Sequence, residues 1–287
     1  MNLADLLPQL KQGGVAATME AGALVADHGP YCVRAEVLPP EGPQVPGREI
    51  EGVVRVTCGL PHDVAPHLAD AATALQANRL ASFGALALEG GEAVVGSRFT
   101  LHRAHDTWAE LIEPLVLYSM ISGAEPILGG LRRAAARTPG RGGESDWTAA
   151  ELEQVAKRLG EVARCRVEPG VLHAEITLGE QVATLEMRTD RPHPEVGGGL
   201  FCLLQMPHAT DDVASVCAQL NEREFAAADL PPHIGAWTDG SFGINPAYVW
   251  FLPNALRDIP GIAINVGFWS YGRALWADAA LRAGPAT

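Results

Sequence analysis

The chain has 287 residues, 47% hydrophobic and 19% charged, a composition that builds packed cores and excludes a disordered chain. Its 21 basic and 34 acidic residues leave a net charge of -13, which repels phosphate backbones and excludes nucleic acid as an expected partner. No run approaches the ~18 apolar residues of a membrane span, and Met1-Asn2-Leu3-Ala4-Asp5 does not open a signal peptide, so a soluble cytoplasmic protein is expected.

Asn2 caps a first helix with Leu3, Leu6, Leu7 and Leu10 as its apolar stripe, ended by Gly13-Gly14. Strands are expected over 15–26, 31–38 and 49–59, with a Pro-rich loop over 39–47. Asp63 caps a helix running to about Ala81. Ala85–Leu88 and Ala93–Leu101 form a hairpin about Glu89-Gly90-Gly91-Glu92. Thr107 and Glu110 form a capping box for the next helix, which Pro114 should kink or break. Residues 138–146 read as a linker, rich in Gly and made locally basic by Arg132, Arg133, Arg137 and Arg141.

The same order then returns. Thr148 and Glu151 form a capping box for a helix to about Gly160. Strands are expected over 165–178, bent at Pro169-Gly170, then over 181–188 and 200–206. A Pro-rich and Gly-rich loop lies between the last two. Asp211 or Asp212 caps a helix to about Ala226, a hairpin turns at Thr238-Asp239-Gly240, and the chain closes on a helix from about Pro260 to Arg282. Landmarks recur at an offset of 146: Lys11 and Lys157, Gly14 and Gly160, Pro61-His62 and Pro207-His208, Pro114 and Pro260. The expected fold is α+β, two tandem similar domains over 1–137 and 147–287, each an antiparallel sheet packed with helices in the order αβββαββα.

That order, at about 140 residues per unit, resembles the type III secretion chaperone-like fold, including the YbjN family. The resemblance covers both halves and implies a cytosolic, non-enzymatic protein that holds or regulates another protein. It carries no catalytic residues. Members of this fold commonly pair two such domains as homodimers, and a tandem repeat would supply that pair in one chain, so a pseudo-dimeric monomer or a homodimer is expected.

Motifs for chemistry are sparse. Cys58, His62 and His67 lie close, with Cys202 and His208 as a partial echo, but His62 and His67 would point ~140° apart on a helix. No metal or cofactor is expected. The five cysteines include no Cys-x-x-Cys pair and read as reduced core residues. His102 and His105 lie near Asp106 with no nucleophile, and the glycines at 140–143 and 197–199 do not match phosphate-binding spacing. Nine of 17 aromatics fall between Trp237 and Trp276, more than the first repeat places in its matching stretch. Trp237, Trp250 and Trp269 are therefore the candidate partner-binding residues, lining either the seam between repeats or a groove for a protein partner with an extended or basic segment. The alternative is an enzyme or small-ligand-binding protein with its site in the cleft between the two repeats.

Overall fold

The protein is described by a computed structural model over residues 2–29, 31–40, 49–60, 71–79, 83–89, 92–102, 108–122, 142–227, 229–240 and 243–283. In the first repeat, a 3₁₀ turn at Leu3–Leu6 leads into α1 (Leu7–Gln12). Strands β1 (Ala16–Glu20), β2 (Ala23–His28), β3 (Tyr31–Leu38) and β4 (Ile50–Gly59) follow, then α2 (Ala71–Asn78), β5 (Ala85–Glu89), β6 (Glu92–His102) and α3 (Glu113–Ser122). The second repeat runs α4 (Ala149–Leu159), β7 (Arg164–Glu168), β8 (Val171–Leu178), β9 (Gln181–Arg188), β10 (Gly199–Gln205), α5 (Val213–Ala226), β11 (Ala236–Asp239), β12 (Pro246–Pro253) and α6 (Ile262–Ala283).

The two sheets have one topology. Their strand orders are β1-β2-β3-β4-β6-β5 and β7-β8-β9-β10-β12-β11, antiparallel throughout. The α+β class and the pair of similar sheets are as the sequence implies. The order αβββαββα needs correction: each repeat has four strands before its middle helix. Residues 15–26 fold back at Ala21-Gly22, where φ is 49 and 87, and residues 165–178 fold back at Pro169-Gly170, where Gly170 has φ 75. Ala21 and Gly22 both have positive φ, which matches the twist of the strands they join, while Pro169, with φ fixed negative by its ring, and Gly170 form a type II turn, and each turn closes its run into a tight hairpin. The offset is not constant either, since β1 and β7 begin at Ala16 and Arg164 (148 apart) and β6 and β12 at Glu92 and Pro246 (154 apart).

One face of each sheet is covered by its own first and last helices. Leu6 and Leu10 with Leu115, Val116 and Met120 lie over Leu24, Ala26, Val33 and Val54, all buried. In the second repeat Leu152, Val155 and Leu159 of α4 and Val266 of α6 lie over Leu172, Ala174, Ile176 and Leu185. Each such Leu or Ile contributes about 1.5–3 kcal/mol by leaving water. Gly267 brings α4 and α6 together, because a Cβ there would stand 3.1 Å from Val155. The expected Thr148–Glu151 capping box forms, and Glu151 also binds Arg257 at 3.1 Å. Around Pro114 the helix is irregular: a π-helical turn at Trp108–Ile112 precedes α3.

The middle helices meet at the seam. α2 and α5 pack against each other and each against the other repeat's outer strand, α2 on β11 and α5 on β5. The duplication shows in a shared side-chain device. Asn78 Nδ2 donates to the Leu86 carbonyl at 3.3 Å while its Oδ1 accepts from the Leu86 N–H at 2.8 Å. Asn221 does the same to Trp237, at 3.0 and 2.7 Å. A side-chain amide copies the peptide group, so each asparagine satisfies both backbone groups of one buried strand residue. Asn254 repeats the two-point grip on the linker, donating to the Glu144 carbonyl and accepting from the Asp146 N–H, each at 3.0 Å.

The linker's second half is therefore docked rather than loose. Gly143 passes so close to Gly198 that a Cβ would come within 2.8 Å of its backbone nitrogen, and a Cβ on Gly198 would collide with the Glu144 carbonyl. Gly197–Gly199 thus serves close backbone approach, not flexibility. Several expected features lie outside the described residues: the Asp63 cap, His62, His67, the turn glycines 90 and 91, Thr107, His105, Asp106, Phe242, and Arg132, Arg133, Arg137 and Arg141.

Truncating either grip should leave two buried strand groups unpaired. Asn78→Ala and Asn221→Ala are each expected to lower unfolding free energy by about 2–3 kcal/mol in urea titrations, while an alanine at the exposed Gln12 should cost little.

Candidate functional site

Charge converges where the repeats join. Residues 233 and 234 run along β6 past the end of β5. Arg98 and His233 exchange backbone hydrogen bonds of 2.9 and 2.8 Å, and the Gly84 N–H donates to the Ile234 carbonyl at 2.8 Å. The chain then enters β11 of the other sheet, so one segment stitches both sheets together. The Arg98 side chain, 1% exposed, donates to the carbonyls of Glu224 at 3.1 Å, Leu230 at 3.4 Å and Pro231 at 2.7 Å, and to Thr100 Oγ1 at 2.7 Å. Gly96 admits the Phe225 ring, which a Cβ would meet at 2.6 Å, and Arg55 lies 4.5 Å over that ring. Thr238 Oγ1 donates to the Leu75 carbonyl at 3.3 Å, and Arg79 Nε binds Asp239 at 2.5 Å.

Glu224 is the centre of this arrangement, at 0% exposure. Its Oε1 accepts from Arg273 Nε at 2.6 Å and its Oε2 from Trp237 Nε1 at 2.7 Å. Arg273, itself fully buried, also donates to the Pro232 carbonyl at 2.6 Å and stacks 3.8 Å over Tyr248. His233 Nδ1 stands 3.3 Å from the Tyr248 hydroxyl and 3.5 Å from Glu224, while Nε2 has no hydrogen-bond partner. The Tyr248 hydroxyl accepts from the N–H groups of Ile234 and Gly235 at 3.2 and 2.8 Å.

Burial opposes ionisation of Glu224, but Arg273, His233 and Arg98 together outweigh it and pull the pKa down to about 2. Burial lowers Arg98 to about 10, which still leaves it charged at neutral pH. Burial also lowers His233 below its ordinary value against the pull of Glu224, so the imidazole is neutral. Burial raises the Tyr248 phenol, keeping it protonated. The constellation brings together an acid, an imidazole and a phenol, yet both carboxylate oxygens are occupied and each group is sealed inside the seam. Its chemistry is that of a fixed charge network. Near it, Val33, Val56, Cys58, Phe83, Ser97 and Ser119 line a recess with room for about one water molecule.

The sequence candidates divide. Trp237 is 0% and Trp250 2% exposed, so both are core residues and not surface anchors. Trp237 packs against Tyr248 and Trp276, with ring centroids 5.3 and 6.4 Å away, and Trp250 packs against Tyr248 at 5.1 Å. Adjacent strand residues do face opposite sides, but the second sheet has apolar cover on both. Phe251 lies with Phe201 and Val249 in a satellite cluster, beside Val196 and 5.2 Å from the His193 ring. Trp269 is half-buried on α6. His208 holds Asp278 of α6 at 2.8 Å, while Cys58 and Cys202 are buried thiols. Asp212 caps α5 through the Ser215 N–H.

Helix α6 carries a second feature. Its inner side buries Val266, Gly267, Ser270, Arg273, Ala274 and Ala277. Its outer side should be polar in a surface helix. Instead Ile264, Phe268, Tyr271 and Leu275 follow at spacings of four, three and four, an apolar stripe about 16 Å long. Leu275 is 44% exposed, while the other three, with Trp269 and Trp276, are half-buried and packed in part against the core. No protein-family model, curated protein or solved structure matches this chain.

The seam should make stability sensitive to acid. Unfolded Glu224 and His233 titrate near 4.5 and 6.5, and both are lowered in the fold. Their contributions are thus complete above those values and lost as pH falls, His233 first, Glu224 between about 4.5 and 2. Urea midpoints should drop between pH 7.5 and 5 and drop further toward pH 3, and His233→Gln should flatten the upper part. Glu224→Gln should cost about 3–5 kcal/mol at neutral pH, because Arg273 would remain buried without its counter-charge.

Proposed function

We propose that this chain is a non-enzymatic protein-binding module, a tandem form of the secretion-chaperone or YbjN-like fold acting in the cytoplasm. The apolar stripe on the outer side of α6 is the observation that supports this. Contiguous apolar surface on a helix that already has a buried face is a docking surface for another chain. Its occupant is an apolar segment of another protein with basic flanks, since the -13 charge attracts such flanks and repels acidic ones. The cysteines are all free thiols, three of them buried, which fits a reducing compartment.

A second reading, a ligand or catalytic site between the repeats, draws on the convergence of Arg98, Glu224, His233, Arg273 and Tyr248. Each of these is fully buried, so that reading needs the seam to open.

The first reading is tested with the full chain as bait and a partner purified to homogeneity. Leu275→Glu and Trp269→Ala should each weaken binding by about 1–3 kcal/mol and leave the thermal midpoint nearly unchanged. Val182→Glu, at a 45% exposed valine of β9, should bind like the unaltered chain. Equal loss in the Val182 variant, or unchanged binding in both α6 variants, would remove the α6 surface as the docking site.

A further inference from the structure

The outer edges of the two sheets, β1 and β7, are equivalent by the duplication but differ in what they present. β7 reads Arg164-Cys165-Arg166-Val167-Glu168 and carries Arg164, Arg166 and Glu168 on one face, bridged to neighbours at 3.2–3.8 Å. Charge of this kind blunts an edge strand. β1 reads Ala16-Ala17-Thr18-Met19-Glu20, with a single charge at its end, and Ala16, Thr18, Met19 and Glu20 are exposed. Among the described residues nothing pairs with its outer edge.

The register sets which backbone groups are free. Glu20 pairs with Ala23 across the two-residue turn, Thr18 with Val25 and Ala16 with Asp27. The pair flanking such a turn is hydrogen-bonded, and hydrogen-bonded and open pairs alternate. Ala16, Thr18 and Glu20 therefore direct their backbone groups into the sheet, and Ala17 and Met19 direct theirs outward.

We infer that β1 pairs antiparallel with β1 of a second copy of this chain, about a two-fold axis at Thr18, joining the two first sheets into one. In that register Ala17 and Met19 of one chain face Met19 and Ala17 of the other, and these are the residues with free backbone groups on both sides. A small side chain meets a large one on the helix-covered face. Thr18 meets Thr18 in an open pair, a favourable cross-strand match. Glu20 meets Ala16, so no like charges stand opposite. The same operation on β7 sets Arg166 directly against Arg166, which is repulsive. That register also sets Arg164 against Glu168 on either side of the arginine pair, so charge decides pairing at β7, whereas the centre of β1 carries none. This contact is separate from the α6 surface and does not depend on it.

Sedimentation equilibrium on the full chain should show a mass twice 30.3 kDa that dissociates on dilution. Thr18→Lys puts two ammonium groups opposite one another and should raise the dissociation constant at least about tenfold. Thr18 is exposed and faces away from the helices, so the hairpin should survive, as circular dichroism would check. In a Cys32→Ser, Cys165→Ser background, Thr18→Cys should form an intermolecular disulfide on mild oxidation, since an open antiparallel pair sets Cα atoms about 4.5 Å apart. Ala16→Cys and Glu20→Cys should cross-link when mixed but not singly. A mass of 30.3 kDa at every attainable concentration would overturn the proposal. So would a dimer that resists Thr18→Lys and yields no Thr18→Cys cross-link, or a dimer broken by Arg166→Glu instead.

Discussion

A carboxylate with no water around it governs how this protein is assembled. Glu224 lies wholly inside, and an ion in that position is tolerable only if it is paired and hydrogen-bonded. Its partners come from three directions: Arg273 from the closing helix, Trp237 from the outer strand of the second sheet, and Arg98 from the first repeat through the Glu224 carbonyl. The last of these matters most for architecture. A buried guanidinium from one repeat terminates on backbone carbonyls of the other, so separating the repeats strands Arg98 as well as exposing apolar surface. The tandem arrangement is one folding unit at this seam, although each half has its own sheet and its own helical cover.

The two halves share topology but have taken different parts. The Asn78–Leu86 and Asn221–Trp237 grips occupy equivalent places, where the middle helix meets the strand after it. The residue gripped is Leu86 in one repeat and Trp237 in the other, and around Trp237 the second repeat gathers Tyr248, Trp250 and Trp276 with Arg273 over the rings. Larger side chains in the second core account for most of the aromatic excess. Among the described residues what remains is on α6, where Phe268, Trp269 and Tyr271 are half-buried against the core and Leu275 is exposed. Divergence also separated the outer edges, with charge on β7 and almost none on β1. The two surfaces proposed for binding both lie where the internal symmetry is broken.

The α+β class, the doubling, the Thr148–Glu151 capping box, the Asp212 cap and the disruption at Pro114 were legible, because each depends on local period, capping chemistry or a missing N–H. The two extra hairpin turns were less legible. Gly22 and Gly170 were the signal, yet an apolar run of a dozen residues reads equally well as one strand or two. The glycines at 197–199 read as a flexible loop, since nothing local announces that Glu144 will lie against Gly198. The candidate tryptophans separated by partner rather than by type. Trp237 has Glu224 to receive its indole N–H, Trp250 is enclosed beside Tyr248 and Arg273, and Trp269 is half-buried on α6.

The sequence by itself determined the periodicities, the caps, the repeated order of elements and the acidic surface, all properties of residues within a turn or two of one another. The tertiary structure alone decided which charges would be buried together. Arg98, Glu224, His233 and Arg273 are ordinary residues in an unremarkable order, separated by up to 175 positions, with no spacing that signals a site. Their meeting requires two sheets joined by residues 233–239, and long-range placement of that kind is set by how whole faces pack. The same holds for the edge of β1 and the Leu275 side of α6, which are uncovered among the described residues. A strand is an edge, and a helix face is a surface, only after every other element has taken its place.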